Sequence, residues 1–361
     1  MNLLRISLIA SLASAAALPA SMAQATATTD PVGFVTVGIP AGTGTAKRNT
    51  LFSVPLMETE AIAGQVSGVI TGVTANTISN SNAGWTAGDL SKPATPFLIQ
   101  ITSGSAAGRL FLISSSAATG GAIAGTANTT TTVTVSSIDT TQVDLTSLGI
   151  VTGTDTYKIY ACDTLASFFG TPASTGVLGG SNVNSSDTIA LVLNGVASTY
   201  WYNTSVTPNR WSRSGPGSVD SSNVALLPNF GVQYARLGNT ALSFVITGQV
   251  PTIGRQVAIK NSGTTLLSQF WPVESTLASL GLQALPNWTA GANASTADTV
   301  ILTSAGSAST YFYNGTNWVR VAPGSPISNT TAIPIGTSIQ IGQKGSASGY
   351  TTLTQILPYS L

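Results

Sequence analysis

The sequence Ser198-Thr-Tyr-Trp-Tyr-Asn203 recurs almost unchanged as Ser309-Thr-Tyr-Phe-Tyr-Asn314. Side chains of a β-strand point alternately to opposite faces, so the two tyrosines of each copy share one face. The central aromatic residue, Trp201 or Phe312, then lies on the other face. Aromatic residues and threonine favour strands over helices. The pair therefore predicts two equivalent β-strands, each with one aromatic face turned towards a core.

The similarity extends to both sides of these two strands. The matching pieces, in chain order, are residues 164–167 with 276–279, 187–189 with 298–300, 211–213 with 318–320, 227–228 with 333–334, and 250–251 with 357–358. Because order and chemistry persist together, the sequence predicts two tandem β-repeats, residues 163–251 and 252–361. Each begins with a short helical turn, at 163–170 and 275–281. In the first turn, Asp163 is expected to cap the start and Gly170 to stop the helix.

The segment before the repeats differs in character. Residues 1–25 are predicted to form a secretory signal peptide, because Arg5 precedes an apolar run at 6–18 and Ala23-Gln-Ala25 fits the small-x-small cleavage rule. The alternative is an N-terminal membrane anchor, for which the apolar run is too short. Residues 26–162 alternate short strand-like runs with glycine-rich turns and are predicted to form an N-terminal β-domain. The expected fold is all-β, with several small antiparallel sandwich or barrel units and very short helical turns.

Composition excludes several classes of function. The 361 residues include 13 Lys and Arg, 12 Asp and Glu, one Cys and no His. Without histidine there is no Ser-His-Asp or Cys-His nucleophile system and no imidazole metal ligand. Cleavage after Ala25 removes Arg5, one of the 13 basic residues, and leaves a formally neutral chain. A neutral chain has no electrostatic field to attract nucleic acid, so no nucleic-acid partner is expected.

Several pieces of the chain resemble an uncharacterised family of exported proteins from Verrucomicrobia. The resemblance is carried by residues 29–35, the Gly104…Gly108-Arg109 turn, and Thr164-Leu165 with Phe169-Gly170. The strands that begin at Asp187 and Asp298, with their aromatic and tryptophan continuations, complete it. Family membership implies secretion, and it supplies neither an activity nor catalytic residues.

The aromatic side chains of the repeats are the candidate ligand-binding residues. They are Tyr200, Trp201, Tyr202, Trp211, Tyr311, Phe312, Tyr313 and Trp318. Exposed rows of Tyr and Trp on a sheet could stack on sugar rings, with nearby Asn and Arg side chains bonding to the hydroxyls. The alternative is that these residues cover a small core or pair across a hairpin.

The acidic residues and the cysteine carry weaker signals. Asp155, Asp187 and Asp298 each precede a threonine and an apolar strand, which favours a turn cap over an acid catalyst. A glycosidase needs two facing carboxylates, and the sequence neither shows nor excludes such a pair. Glu58 and Glu60 are expected to share one face of a strand, where they could bind a cation. The favoured interpretation is that both carboxylates lie at a solvated strand edge. Cys162 is interpreted as a small buried residue. No catalytic residue, metal ligand or cofactor is predicted.

These observations predict an exported protein of the cell surface, envelope or periplasm, with a structural or adhesive role rather than an enzymatic one. Neutral polar β-faces avoid repulsion when copies pack side by side, so self-assembly is one expected partnership. The alternative function is carbohydrate binding, with a surface polysaccharide as partner. No transmembrane span is expected after signal cleavage. An outer-membrane barrel would need a regular strand rhythm of about ten residues, which the sequence lacks.

Overall fold

The structure is a computed structural model that describes residues 30–59, 61–114, 126–139, 144–193, 196–304, 307–345 and 348–360. The predicted signal peptide at 1–25 lies outside the described residues. Val32–Leu361 forms one compact unit. All the elements discussed below belong to this unit.

This unit is almost entirely β within the described residues, as the sequence predicts. Its strands within the described residues are β1 (Val32–Ile39), β2 (Arg48–Ser53), β3 (Ser67–Val69), β4 (Gly72–Val73), β5 (Thr77–Ser79), β6 (Phe97–Ile101), β7 (Leu110–Ile113), β8 (Thr132–Ser137), β9 (Thr156–Ala161), β10 (Thr188–Leu193), β11 (Val196–Asn203), β12 (Arg210–Arg213), β13 (Gly231–Arg236), β14 (Leu242–Gln249), β15 (Arg255–Lys260), β16 (Gly263–Ser268), β17 (Ser275–Thr276), β18 (Thr299–Ser304), β19 (Ser307–Tyr313), β20 (Trp318–Arg320), β21 (Ala332–Ile333), β22 (Ser338–Gln343) and β23 (Tyr350–Gln355). The α-helices among these residues are α1 (Leu165–Phe169) and α2 (Pro172–Thr175). No helix in the described ranges is long and apolar enough to cross a membrane.

The first repeat is a small antiparallel sandwich. One layer is a five-stranded sheet in the order β12-β11-β10-β13-β2, and the other is the β1–β14 ribbon. Along β1, Val35, Val37 and Ile39 point inward and are buried. They meet apolar side chains from the five-stranded sheet and from α1. Alternation along each strand thus supplies the core of this sandwich.

The second repeat has the same arrangement within the described chain. Its five-stranded sheet runs β20-β19-β18-β22-β16, and its ribbon is β15–β23. The register is also shared, because Phe52 pairs with Val232 in the first repeat and Leu267 pairs with Ile339 in the second. The two copies are therefore repeats in structure as well as in sequence.

The structure differs from the predicted division at residue 162. Strands β1 and β2, which the sequence analysis places in the N-terminal domain, pair with β14 and β13 of the first repeat. The first repeat is thus residues 32–57 joined to 163–251. The residues between them, 58–162, are called the inserted module here. Its two ends lie side by side, since Ala161 donates its N–H to the Glu58 carbonyl at 3.0 Å.

The inserted module carries a seven-stranded sheet in the order β3-β9-β6-β7-β8-β5-β4. Trp85 and Tyr157 pack edge to face in its core at 5.9 Å between ring centroids. A further apolar cluster joins this module to the first repeat, with Leu98 and Tyr160 on one side and Leu227 and Phe230 on the other. This shared cluster fixes the module against the repeat that it interrupts.

The two repeats meet through a reciprocal contact. Ser53 donates its N–H to the Gly336 carbonyl at 2.8 Å, and Ser268 donates to the Asn229 carbonyl at 3.1 Å. The isolated bridge Phe52–Thr337 has its counterpart in Phe230–Leu267. Equivalent residues therefore exchange equivalent bonds, as across a two-fold axis.

The first predicted helical turn forms as α1, with one correction to its cap. The second, at 275–281, begins instead as strand β17 and continues as a single turn, in which Leu280 donates its N–H to the Thr276 carbonyl at 3.2 Å. Thr164, rather than Asp163, caps α1 and accepts from the Ser167 N–H, while the Ser167 hydroxyl accepts from the Thr164 N–H. Asp163 instead accepts a hydrogen bond from the Ser167 hydroxyl. A threonine followed three residues later by a serine suits this reciprocal geometry. Thr276 and Ser279 repeat it around a single turn in the second copy.

Candidate functional site

Three of the four aromatic residues of β11 and β12 form or contact the first repeat's core. Tyr200 and Trp211 are buried, and Tyr202 packs against the same core while half-buried. The Trp211 indole N–H donates to the Gly170 carbonyl at 2.9 Å, so its polar atom is satisfied inside. Tyr202 and Trp211 lie edge to face with ring centroids 5.8 Å apart.

The second repeat places its aromatic residues in the same way. Tyr311 and Trp318 are buried, and half-buried Tyr313 packs on them. The ring centroids of Tyr313 and Trp318 are again 5.8 Å apart. The Trp318 indole N–H donates to the Gln283 side-chain oxygen at 3.2 Å.

The opposite face of these strands is covered as well. Trp201 and Phe312 are each 5% exposed. Phe312 packs in a satellite cluster with Ala297 and Val319. Of the two alternatives for these candidate residues, the structure supports the core: six of the eight side chains are buried, and Tyr202 and Tyr313 are half-buried core neighbours. A ring enclosed on both faces cannot stack on a sugar.

The acids that precede the repeat strands are structural clamps, as the sequence predicts. Asp187 accepts hydrogen bonds from the Leu178 N–H at 2.8 Å and the Leu237 N–H at 2.7 Å. Asp298 accepts from the Thr289 N–H at 2.8 Å and the Lys344 N–H at 2.6 Å. Each buried carboxylate thus ties a loop to the end of a strand. The role of both carboxylates is therefore structural, because each accepts backbone hydrogen bonds inside the fold.

Asp187 also has side-chain partners, which belong to β13 of the first repeat. It forms a buried ion pair with Arg236 and accepts a hydrogen bond from the Tyr234 hydroxyl at 2.7 Å. Arg236 also donates to the Thr240 carbonyl at 3.0 Å. Because the opposite charges are paired and the polar groups are hydrogen-bonded, this buried cluster stabilises the first repeat by joining β13 to the start of β10.

Asp155 and Cys162, the next two residues considered for chemistry, also have structural roles. Asp155 accepts from the Val151 N–H at 2.9 Å, which closes a tight turn. Cys162 is buried, and burial raises the pKa of its thiol, which makes it inert at neutral pH. Glu60, half of the predicted Glu58–Glu60 pair, lies outside the described residues. Within the described ranges, no cluster of three acidic or cysteine residues could hold a metal ion.

A surface cleft of about 390 Å³ lies at the end of the β11–β12 hairpin. Its lining is mainly small and polar, and it includes Ser198, Thr199, Arg213 and Ser214. No aromatic side chain lines it. Ligand pockets with specific affinity are predominantly apolar or aromatic with a few polar groups, and this cleft has the opposite balance.

The exposed apolar residues of the β1–β14 ribbon form a different kind of candidate site. Val32, Phe34 and Val245 are 77%, 73% and 58% exposed on the outer face of the ribbon. Phe34 and Val245 are diagonal neighbours, because Phe34 pairs with Thr247 and Thr36 pairs with Val245. Neither strand contains a charged residue. We call this face the ribbon patch.

The backbone of β1 also has an outward edge. Gln249 exchanges two backbone hydrogen bonds with Met57, so its N–H and C=O point away from β1. Its partner Val32 is therefore in a non-hydrogen-bonded pair, and its own groups point to the other side of β1. Alternation gives Phe34, Thr36 and Gly38 the same outward direction. Among the described residues, β1 pairs with β14 alone.

The equivalent strand of the second repeat, β15, has its outward edge covered. Gln256 donates its backbone N–H to the Gly108 carbonyl at 3.2 Å and its side-chain amide to the Ser105 carbonyl at 3.0 Å. Ala258 donates its N–H to Asp139 at 2.6 Å. All three acceptors belong to the inserted module. In the register of the two ribbons, Gln256 and Ala258 correspond to Phe34 and Thr36.

Asp139 anchors this contact between the module and β15. Its carboxylate lies 3.5 Å from the Arg109 guanidinium, and both side chains are buried. Burial raises the pKa of Asp139, and the charge of Arg109 opposes the rise. The Gly108-Arg109 turn, which sequence analysis marks without a role, thus serves as the docking element for β15.

The candidate residues predicted from sequence do not include the ribbon patch. The signal was present in the run Val32-Gly-Phe-Val-Thr-Val37, where apolar residues occupy both faces at its start. A strand with one solvated face carries polar residues there. No protein-family model, curated protein or solved structure matches this chain.

Proposed function

We propose that the protein is an exported component of the cell surface or envelope with a structural or adhesive role, and that it acts by association between copies. The observation that carries this proposal is the ribbon patch, an exposed apolar face on two strands without a charged residue. Exposed apolar surface of this kind favours protein–protein contact. Export is supported by the sequence of residues 1–25 and by the resemblance to exported proteins.

Near-neutrality of the chain supports the same proposal. With 13 basic and 12 acidic residues, identical copies approach without strong electrostatic repulsion. The alternative, polysaccharide binding, has less support, because six of the eight candidate aromatic side chains are buried and the other two are half-buried. The absence of catalysis stays a prediction, supported by the structural use of Asp155, Asp187 and Asp298.

Sedimentation velocity of the mature chain, residues 26–361, tests the proposal across a wide range of concentration. We expect reversible association for the natural chain. Phe34→Lys should weaken it at least tenfold, because each association would place a charge in an apolar contact. The matched control is Thr352→Lys, which puts the same charge on the exposed face of β23 in the second ribbon. A natural chain that stays monomeric at all concentrations would overturn the proposal.

A further inference from the structure

The edge of β1 has the features that lead strands to pair between molecules. Eight consecutive residues pair in register with β14, so β1 is long and free of bulges. It contains no Lys, no Pro and no charged side chain. Natural edge strands are blocked by just those devices or by a covering element. Among the described residues, no element covers the outward N–H and C=O groups of Phe34, Thr36 and Gly38.

The second repeat supplies an internal comparison for this edge. Its corresponding strand, β15, has the inserted module across it, with bonds from Gln256 and Ala258 to Gly108 and Asp139. The chain has one inserted module for two equivalent ribbons, and that module lies on the second. The outward backbone groups of β1 in the first ribbon therefore lack the contact with the inserted module that Gln256 and Ala258 make in the second ribbon.

We propose that β1 pairs antiparallel with β1 of a second copy of this chain and so joins two ribbons into one four-stranded sheet. This inference rests on the proposed function and names the partner and the contact. Phe34 and Thr36 then donate to and accept from the same strand of the partner molecule. The ribbon patches of the two copies become continuous across the new pair.

A second copy is the occupant that the structure favours. A two-fold axis lets one strand edge serve as both donor and acceptor, so β1 needs no other partner than itself. Thr36 and Gly38 are small and uncharged, and they permit close approach without repulsion. The chain already uses this kind of contact, because its repeats exchange the Ser53–Gly336 and Ser268–Asn229 bonds reciprocally.

Thr36→Pro tests the pairing directly. The substitution removes an N–H that points away from β14 and adds a ring on the outward edge, while the β1–β14 ladder is retained. Proline is tolerated at such an edge position. The matched control is Thr352→Pro. Thr352 pairs with Ala258, whose N–H points away from β23, so its own N–H also points away from its ladder.

Sedimentation velocity should show that Thr36→Pro abolishes the dimer while Thr352→Pro leaves it unchanged. If Thr36→Pro associates as the natural chain does, the β1 contact is wrong, although the proposed self-association stands. If the natural chain itself is monomeric, the proposed function fails first. Larger open assemblies in place of a dimer would also overturn the inference, because a two-fold β1–β1 contact closes on itself.

Disulfide trapping gives a second readout that does not depend on the proline variant folding. Thr36→Cys and Phe34→Cys are oxidised alone and as a mixture, with Thr352→Cys as control. Opposed residues of antiparallel strands have Cα atoms about 4.5–5.5 Å apart, which is within disulfide range. The native Cys162 is buried and does not compete. We expect a covalent dimer from the β1 cysteines in at least one of these combinations. Its absence from all of them, with the natural chain dimeric, overturns the pairing.

Discussion

Asp187 shows how a residue can be placed correctly from sequence and still be incompletely understood. Its position before a threonine and an apolar strand indicates a turn cap, and the hydrogen bonds from Leu178 and Leu237 confirm this. Its ion pair with Arg236 could not be predicted in the same way. In the second repeat, Arg236 is replaced by Gln343, whereas Asp187 has Asp298 as its equivalent. Comparison of the two copies therefore gives no indication of a charged partner for Asp187.

Replacement of Asp187 by Ala should lower the free energy of unfolding by about 3–5 kcal/mol, the range for breaking a buried ion pair. The loss arises because Arg236 would stay buried without its carboxylate. Urea denaturation followed by circular dichroism measures it. The control is Asp89→Ala, which removes an exposed pair with Lys92 at 2.8 Å and should cost about 0–1 kcal/mol. Equal losses in the two variants would contradict the assigned role of Asp187.

At the scale of elements, strand positions were predictable but their environments were not. Alternation along Ser198–Asn203 correctly separates Trp201 from the two tyrosines. It does not reveal that both faces are covered: Tyr200 lies in the sandwich core, and Trp201 on the opposite face is buried as well. In the second repeat, Phe312 is the equivalent of Trp201, and it packs in a satellite cluster with Val319 and Ala297. The covering residue Ala297 comes from a loop outside the strand pattern. Whether an aromatic strand forms a site or a core is therefore decided by tertiary packing.

Trp211 should be a stability residue rather than a ligand-binding one. Trp211→Ala removes a side chain that is 2% exposed and loses the hydrogen bond to Gly170. We expect a destabilisation of about 3–5 kcal/mol, as for other large core truncations. Phe34→Ala, which truncates an exposed aromatic residue, is the control and should change stability of the monomer by less than about 0.5 kcal/mol. Equilibrium denaturation at low protein concentration gives both values, and a fully stable Trp211→Ala would refute the core assignment.

At the scale of the whole molecule, the division of the chain was the hardest feature to predict. The repeat was detectable where the two copies run without interruption, from residue 164 onward. The sequence does not indicate that β1 and β2 belong to it, because the inserted module separates them from their partners along the chain. Their counterparts share little beyond alternation and the run Leu51-Phe-Ser53, which matches Leu266-Leu-Ser268. Strand pairing between distant segments is a three-dimensional property that this short match could not establish.

The interrupted first repeat makes the two ribbons unequal, and hydrogen exchange should report that inequality. In dilute solution, the amides of Gln256 and Ala258 should exchange slowly, because both are bonded to the inserted module. The corresponding amides of Phe34 and Thr36 should exchange fast. Exchange resolved by residue, through nuclear magnetic resonance or fragmentation mass spectrometry, distinguishes them.

Raising the protein concentration should then slow exchange at Phe34 and Thr36 and leave it fast at Val245. The reason is geometric: Val245 faces Thr36 in a non-hydrogen-bonded pair, so its amide points to the far edge of β14. Pairing of β1 with β1 protects the outward amides of β1 from exchange and leaves the far edge of β14 exposed. Protection of Val245 together with Phe34 would instead indicate pairing of β1 with β14 of the next copy, a contact that propagates into a filament. Fast exchange at Phe34 in an associated sample would place the interface on the side chains of the ribbon patch and leave the strand edge unused.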